Sequence, residues 1–217
     1  MLCNGAFRLD EAVPAADLIE QADAWFGARG RGYTIWARAK RDDDLVAAAE
    51  RAGLLALFDT PEMVCDHRLP DVPLPDGVEI RWVEDAGTIA DFVTVNDGAY
   101  AELGLPAGTV ASIIVEPSRF LVPHVRSAVA YLDGAPVAAA QTVLSHSAAG
   151  VYWVGTRPDA RGRGIGEAVT RAVTNLAFDL GAPANTLQAS TMGEPIYTRM
   201  GYRTLFRYQG LVRFVER

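Results

Sequence analysis

The 217-residue sequence predicts a mixed α/β fold, and three observations lead to this class. Apolar segments rich in β-branched residues alternate along the chain with amphipathic segments, as expected for strands and helices that cover each other. The dipeptide Asp133-Gly134 separates two apolar runs and predicts a β-hairpin. A glycine-rich turn at 161–166 leads from a strand-like segment into a long amphipathic segment.

The elements after residue 77 follow from these patterns in chain order. The helix after the glycine turn has apolar residues at helical spacing, and Gly181 stands where a C-terminal cap is expected. A shorter helix has Pro195 in its first turn and ends at Gly201. The predicted elements are strand Val78–Val83, helices Ala86–Leu103 and Thr109–Val115, strands Val125–Leu132, Pro136–Leu144 and Val151–Thr156, a helix from Ile165 to Leu180, strand Leu187–Ser190, the Pro195 helix, and strand Tyr202–Val212.

The glycine turn is the most informative local motif of the chain. Glycine allows a tight turn and lets a ligand approach the backbone without meeting a Cβ. The first N–H groups of the following helix have no partner within the helix, and the helix N-terminus carries a partial positive charge. We therefore predict a phosphate-binding cradle formed by Arg161, Gly162, Arg163, Gly164, Ile165 and Gly166.

The spacing of the glycines excludes two common phosphate loops. The Walker loop requires Gly-Lys-Ser/Thr, and this turn contains no lysine. The dinucleotide fingerprint requires a glycine five residues after the first one, and counting from Gly162 that position holds Glu167. A carboxylate there would repel a pyrophosphate. Arg171, one helical turn further on, is interpreted as a solvated surface charge.

A second motif follows in the segment Gly193-Glu-Pro-Ile-Tyr197-Thr-Arg-Met-Gly201-Tyr202. Together with Arg-x-x-Gly-x-Gly at 161–166, it resembles the GNAT superfamily of acyl-CoA-dependent N-acyltransferases over about Val78 to Arg217. The resemblance implies a mixed central sheet with helices on both faces. It also implies that the cradle amides hold the pyrophosphate of coenzyme A, with acetyl-CoA as the acyl donor and no metal.

The resemblance assigns further roles residue by residue. Tyr197 matches the tyrosine that gives a proton to the departing thiolate, and a phenol of pKa about 10 suits a thiol of pKa about 8.5. The strand before the cradle would splay from the strand ending at Ser190 and admit the pantetheine arm; Ser190 replaces the Asn often found there. The cofactor-binding residues implied on the first strand are Val154, whose N–H would polarise the thioester carbonyl, Gly155 and Thr156. Glycine within a strand indicates a bulge or a close backbone approach.

The base that accepts the proton of the acceptor amine is not assigned by the sequence. Family members often carry a glutamate on the strand before the cradle, but Val151–Gly155 contains no carboxylate. Tyr100, Tyr152 and Trp153 are expected to line the acceptor pocket or to belong to the core. The residues that qualify as a base by type alone are Asp97, Glu102, Glu116, His124 and His146.

The first seventy residues repeat the strand and helix order of the C-terminal part. The predicted elements are strand Leu2–Leu9, helix Pro14–Ala28, strand Tyr33–Ala39, helix Asp42–Ala52 and strand Thr60–Asp66. At an offset of 148 positions, Gly201 aligns with Gly53 and Tyr197 with Ala49. The same offset aligns Gly164 and Gly166 with Ala16 and Leu18. We interpret residues 1–70 as a truncated, non-catalytic GNAT-like half, 71–77 as a Pro-rich linker and 78–217 as the catalytic domain; a chance likeness is the alternative.

Composition narrows the function classes. A formal net charge of −7 argues against a general nucleic-acid binder. The sequence has no uninterrupted run of about 20 apolar residues, so it predicts no membrane-spanning helix. Two cysteines, Cys3 and Cys65, and no apolar N-terminal segment indicate a cytoplasmic protein without a disulfide framework. The oligomeric state cannot be read from the sequence, and a homodimer is named only because it is the commonest symmetric assembly.

The sequence supports one leading function and two alternatives. The leading hypothesis is an N-acetyltransferase that moves the acetyl group of acetyl-CoA directly to a primary amine of a small molecule or peptide, in a ternary complex. The first alternative is an acyl-CoA-binding sensor without turnover, which the missing strand carboxylate favours. The second is a nucleotide-binding regulator, which depends on the glycine turn alone.

Overall fold

The computed structural model describes residues 4–102, 106–114 and 120–215. Within this range the chain divides into two compact units, each of which is described by itself. Of the described residues, the first unit takes those within 1–63, 188–194 and 204–217, and the second takes those within 64–187 and 195–203. Some predicted positions lie outside the described residues, namely Leu2, Cys3, Leu103, Val115 and Glu116.

The first unit contains four strands with two helices packed on one face. Its strands are β1 (Gly5–Phe7), β2 (Tyr33–Arg38), β3 (Leu55–Cys65) and β9 (Arg203–Arg213), and its helices are α1 (Ala15–Gly27) and α2 (Asp43–Arg51). β2 pairs in parallel with β1 and antiparallel with β9. Alternate residues of β2 point to one face, and these side chains form the core with residues of α1, α2 and β9: Ile19, Tyr33, Ile35, Ala37, Leu45, Ala49 and Leu211.

A buried ion-pair network stabilises this unit beside α2. Asp42, which is 1% exposed, accepts hydrogen bonds from Arg8 and Arg38. Arg8 also donates to Asp44 at 2.7 Å. Burial alone would raise the pKa of Asp42, but the hydrogen bonds from Arg38 and Arg8 outweigh it and hold this pKa well below its usual range.

The second unit carries the predicted cradle. Its strands run in the order β8-β7-β6-β5-β4, with antiparallel pairing from β4 to β7 and parallel pairing between β7 and β8. These strands are β4 (Val78–Trp82), β5 (Val125–Leu132), β6 (Ala135–Ser145), β7 (Ala148–Thr156) and β8 (Asn185–Gln188). The helices are α3 (Ala86–Ala101), α4 (Thr109–Ile113), α5 (Ile165–Asp179) and α6 (Glu194–Met200).

Helices cover both faces of this part of the sheet, as the resemblance implied. Phe92 and Val95 of α3 pack in one core cluster with Val129 and Ala139. Side chains on the other face of these strands point toward α5. There Ala149 of β7 packs against Ala177 of α5. Successive strand side chains point to opposite faces, so the alternation of apolar residues on β6 and β7 sets which helix each strand residue meets. The predicted mixed α/β class is confirmed.

Most element boundaries agree with the predicted ones to within a few residues. The largest difference is in β3, which begins at Leu55, because the alternation that marks a half-exposed strand is weak in the apolar run before Thr60. Ser190, predicted at the end of a strand, lies beyond β8. Among the described residues, no helix is both long enough and apolar enough to cross a membrane.

Candidate active site

The strand that leads to the cradle contains a β-bulge. Ala139 of β6 pairs with Gly155 of β7, while Gln141 pairs with Tyr152, so Ala140 stands opposite two residues, Trp153 and Val154. Trp153 has a φ of 51°, a left-handed conformation that is rare for a bulky side chain. A bulge leaves a residue without its ladder partner. The irregularity therefore falls on Trp153 and Val154, and the second is the residue predicted to present its N–H to the thioester.

Gly155 is required by packing and not by the bulge itself. A Cβ at this position would lie 2.7 Å from Oδ1 of Asn96 and 3.0 Å from the Cβ of Ala99, both on α3. Of the two sequence interpretations of this glycine, close backbone approach is the one that the structure supports. The contact brings α3 directly onto the bulged part of β7.

β7 and β8 separate beyond the first residues of β7. Their parallel pairing includes Ala149 with Asn185 and Gly150 with Thr186, and no pair after Gly150 is found among the described residues. From Val151 onward, β7 is paired with β6 on one side. Among the described residues, β7 thus has no paired β8 residue beside the bulge, which agrees with the splay that the resemblance implied.

The three glycines of the cradle serve two different physical needs. Gly162 and Gly164 both have a φ of 74°, which side chains rarely tolerate. Gly166 has no such conformation, but a Cβ there would lie 2.6 Å from Oγ1 of Thr156, so this glycine lets the first turn of α5 approach the end of β7. No acceptor for the amides of residues 162–166 is found among the described residues. The turn therefore offers successive free N–H groups at a helix N-terminus.

Arg161 connects the cradle to the end of α3. Its Nη1 donates to Oε2 of Glu102 at 2.6 Å, and its Nε donates to the backbone oxygen of Thr156 at 3.1 Å. Both side chains of the ion pair are partly exposed. The arginine that opens the glycine motif is thus held in place by a carboxylate, while Arg163 is exposed at the surface of the turn.

Tyr197 lies in the middle of α6 among aromatic side chains. Its ring centroid is 6.0 Å from that of Tyr202, and Tyr100 is its other phenol neighbour. Tyr100 in turn lies 5.4 Å, centroid to centroid, from Trp153 of the bulge. Burial raises the pKa of Tyr100 to about 12, and burial with the neighbouring Tyr100 raises the pKa of Tyr197 further above its ordinary value. Both phenols are protonated at neutral pH, which is the state a proton donor requires.

Ser190 belongs to the first unit, where it shapes the turn before α6. Its Oγ accepts a hydrogen bond from the N–H of Gly193 at 3.1 Å, and its carbonyl accepts from Glu194. The side chain of Ser190 is exposed. Its predicted contact with the pantetheine arm stays a prediction.

The base candidates within the described residues are engaged elsewhere or exposed. Asp97 accepts hydrogen bonds from the backbone of Gly108 and Val110 and so holds the start of α4. Glu102 pairs with Arg161. His124 is exposed, and His146 lies in the β6–β7 turn with Ser145. None of these four is placed at Tyr197 by its contacts.

The segment just before the predicted linker is fastened along α5. The amide side chain of Asn175 accepts from the N–H of Leu69 at 2.9 Å and donates to its carbonyl at 3.1 Å. Arg171 donates to Pro70 and to Glu167, and its side chain is 12% exposed, so the expectation of a solvated surface charge was wrong. Residues 68–71 therefore form a fixed strap over the helix.

A groove of about 410 Å³ lies between the strap and α5. It reaches the cradle at Gly164, and it includes neither the bulge nor Tyr197. Its apolar walls include Leu74, Ile80, Trp82, Ala168 and Leu176. The groove adjoins the glycine turn but is separate from the aromatic residues around Tyr197.

Sequence reasoning missed two parts of the site. The conformation of Trp153 had no signal, because the residue type is common in ordinary strands. The Arg161–Glu102 ion pair joins residues 59 positions apart, and only the packing of α3 on β7 brings them together. The only sequence signal for this pair was that a carboxylate ends the predicted helix of α3 and an arginine begins the glycine turn.

The comparisons with known proteins agree with this geometry. Residues 123–204 match the family model described as the acetyltransferase (GNAT) domain. A mycothiol acetyltransferase from Thermomonospora curvata is 28% identical over 165 residues, which cover 73% of this chain and 55% of that relative. The chain thus spans about half the length of this curated relative.

Solved structures show the same fold. A GCN5-related N-acetyltransferase from Kribbella flavida superposes with a TM-score of 0.72 at 22% identity, covering 96% of this chain and 80% of that one. Another from Sphaerobacter thermophilus gives a TM-score of 0.76 at 17% identity, covering 98% of this chain and 73% of that one. The chain thus shares the fold of these structures, and its residues 123–204 are similar to the acetyltransferase (GNAT) domain.

Proposed function

We propose that the protein is an N-acetyltransferase that transfers the acetyl group of acetyl-CoA to a primary amine of a small molecule or peptide. The observation that carries the proposal is the alignment of three features along one strand end. These are the bulge at Val154, the open side of β7, and the free amides of the cradle that follows. A thioester, a pantetheine arm and a pyrophosphate require such sites in that order.

In this proposal the cradle binds the cofactor by its backbone. The amides from Gly162 to Gly166 donate to the pyrophosphate oxygens, and the N-terminus of α5 adds its partial charge. The positive φ of Gly164 holds the turn open. The pantetheine arm lies along the open side of β7, past Gly155 and Thr156. Residues 78–217 form the catalytic domain in this view, and residues 1–70 are a half without a cradle or a matching tyrosine.

The chemical step is direct transfer. The N–H at Val154 hydrogen-bonds the carbonyl oxygen as negative charge develops on it, a contribution of about 3 kcal/mol for one such donor. The amine nitrogen attacks the carbonyl carbon, the C–S bond breaks, and the O–H of Tyr197 gives its proton to the sulfur. No cysteine relay is part of the scheme, since Cys65 is buried and donates to the carbonyl of His67.

The experiment is the release of CoA thiol from acetyl-CoA across a panel of primary amines, alongside calorimetric binding of CoA. Amine-dependent thiol release with formation of the acetylated amine is the expected result. Tight CoA binding with no release for any amine would instead identify an acyl-CoA sensor. Stronger binding of ATP or NAD than of CoA would favour the nucleotide-binding alternative.

A further inference from the structure

The alternation of side chains along β7 reverses partway through the strand. Ala149 faces α5, where it packs with Ala177. Because successive strand residues point to opposite faces of a sheet, every second residue after Ala149 should also face α5, and Gly155 is one of them. Gly155 faces α3 instead, since a Cβ built on it would meet Asn96 and Ala99.

The bulge at Trp153 and Val154 accounts for this reversal, because it adds one residue to β7 relative to β6. Gly155 then faces α3, and the next residue, Thr156, faces α5. The contact of Thr156 agrees, since its Oγ1 lies 2.6 Å from the position of a Cβ on Gly166 in the first turn of α5. A strand without the bulge would exchange the two faces and lose both close contacts.

The bulge is maintained against a conformational cost. Trp153 has a φ of 51°, at a position that glycine occupies in one common type of bulge. Such a conformation persists only where the surrounding structure over-determines it. Part of that restraint comes from one face of α3, where Asn96 and Ala99 meet Gly155. On the same face, the ring centroid of Tyr100 lies 5.4 Å from that of Trp153.

Asn96 is the polar member of this helix face, and it is 0% exposed. Its Nδ2 donates to the carbonyl of Phe92 at 3.1 Å. A carbonyl can only accept, so Oδ1 is the atom that is turned toward Gly155. This oxygen has no hydrogen-bond partner among the described residues. A buried acceptor without a partner lowers stability, so stability does not explain the presence of an amide here.

We propose, building on the function proposed above, that Asn96 is a positioning residue for the N–H of Val154. Its Oδ1 lies 2.7 Å from the position of a Cβ on Gly155. An oxygen atom is smaller than a methyl group, so α3 lies closer to β7 than an apolar side chain of similar length would allow. The contact keeps Gly155 turned toward α3 and thereby maintains the bulge. The N–H of Val154 is then held in one orientation before the thioester binds, as a preorganised donor requires.

The test is Asn96→Ser, which removes the contact with Gly155 and preserves the helix. The serine hydroxyl can donate to the same carbonyl of Phe92, one helical turn earlier, but it is too short to reach Gly155. We expect kcat for amine-dependent thiol release to fall about tenfold, a partial loss of the roughly 100-fold or larger effect of removing such a donor. The Kd for CoA should stay within about twofold, because the cradle is unchanged.

Ile89→Ala is the matched control on the same helix. Ile89 is buried in the core cluster that α3 forms with the sheet, and it lies about 10 Å from Asn96 along the helix axis. The change should lower the stability of the fold and leave kcat within about twofold of the wild-type value. A loss of kcat confined to Asn96→Ser therefore separates positioning from a general loss of packing.

The outcomes separate this inference from the proposed function. An unchanged kcat in Asn96→Ser, or an equal fall in Asn96→Ser and Ile89→Ala, overturns the inference and leaves the acetyltransferase standing. If the wild-type protein releases no thiol with any amine, the proposed function is overturned, and backbone amide NMR signals of Trp153 and Val154 test the role of Asn96 in holding the bulge. Signals that shift in Asn96→Ser but not in Ile89→Ala support that role, and signals that respond alike in both variants contradict it.

Discussion

Arg161 of the cradle and Glu102 at the end of α3 form an ion pair with an N–O distance of 2.6 Å. The pair places a carboxylate beside the amides that we propose to bind pyrophosphate. Glu102 thus neutralises the cation that opens the glycine motif, and an incoming phosphate must share Arg161 with it. The exposed position of both side chains makes the interaction weak enough to be exchanged.

Replacement of Glu102 by glutamine should strengthen the binding of CoA. The change removes a negative charge next to the cradle and leaves Arg161 with its full charge, so we expect Kd for CoA to fall about two- to fivefold at low salt. Calorimetry at two ionic strengths measures the effect. Arg161→Ala should weaken binding, and a rise of Kd in Glu102→Gln comparable to that in Arg161→Ala would show that Glu102 acts by positioning the arginine.

Gly164→Asp should abolish most of the affinity for CoA. Aspartate tolerates a φ of 74° better than most residues, but its carboxylate and Cβ would stand in the cradle. We expect Kd to rise at least about tenfold, which is 1.4 kcal/mol. Gly30→Asp, at a φ of 58° with nothing near the added Cβ, is the matched control and should bind CoA normally. Unchanged CoA affinity in Gly164→Asp would show that the cradle is not the pyrophosphate site.

Tyr197→Phe should reduce turnover and spare the binding of CoA. Removing the proton donor for the thiolate acts on the chemical step, so we expect kcat to fall about 100-fold with a nearly unchanged Kd for CoA. The phenol is protonated throughout the neutral range because its pKa is raised, so activity should show no loss from its ionisation below pH 9. Tyr208→Phe in β9 is the control, and full activity of Tyr197→Phe would exclude the tyrosine from catalysis.

Replacement by alanine should change the free energy of unfolding in opposite directions at two glycines, one on β7 facing α3 and one within α3. Gly155→Ala would place a Cβ 2.7 Å from Oδ1 of Asn96, and we expect a loss of about 1–3 kcal/mol in the free energy of unfolding. Gly98 lies within α3 with nothing near an added Cβ, and Gly98→Ala should stabilise by about 0.5–1 kcal/mol. Urea denaturation compares them. A stabilised Gly155→Ala would refute the close approach of α3 to β7.

The stability of the first unit should fall at acidic pH because Asp42 becomes protonated. A carboxyl whose folded pKa is lowered contributes stability above its unfolded pKa of about 3.9, and this contribution is lost as the pH falls below that value. Asp42→Asn leaves Arg8 and Arg38 without their shared partner, at a cost of about 3–5 kcal/mol at pH 7. Denaturation at pH 7 and pH 3 measures both effects. Glu50→Gln on the exposed face of α2 is the control, and equal stability losses at the two pH values would contradict the linkage.

Much of the fold could be predicted from local patterns. The hairpin at Asp133-Gly134 and the helix from Ile165 have sequence signals that act over a few residues, through turn conformation and apolar periodicity. The bulge had no such signal, because register is set by the pairing of β6 with β7 and not by the identity of Trp153. The sequence could name base candidates by residue type. It could not show which of them are already engaged, since their hydrogen-bond partners lie far away in sequence.

The sequence by itself determined the glycine turn, because Gly162 and Gly164 supply a conformation that depends on their own backbone. It also determined that Tyr197 lies on a short helix ending at a glycine. The tertiary structure alone decided the need for Gly155 and Gly166, whose missing side chains make room for Asn96 and Thr156. It also decided that Asp97 holds the start of α4 and that Glu102 pairs with Arg161. Backbone conformation is a local property, whereas close approach and charge pairing depend on which elements the packing brings together.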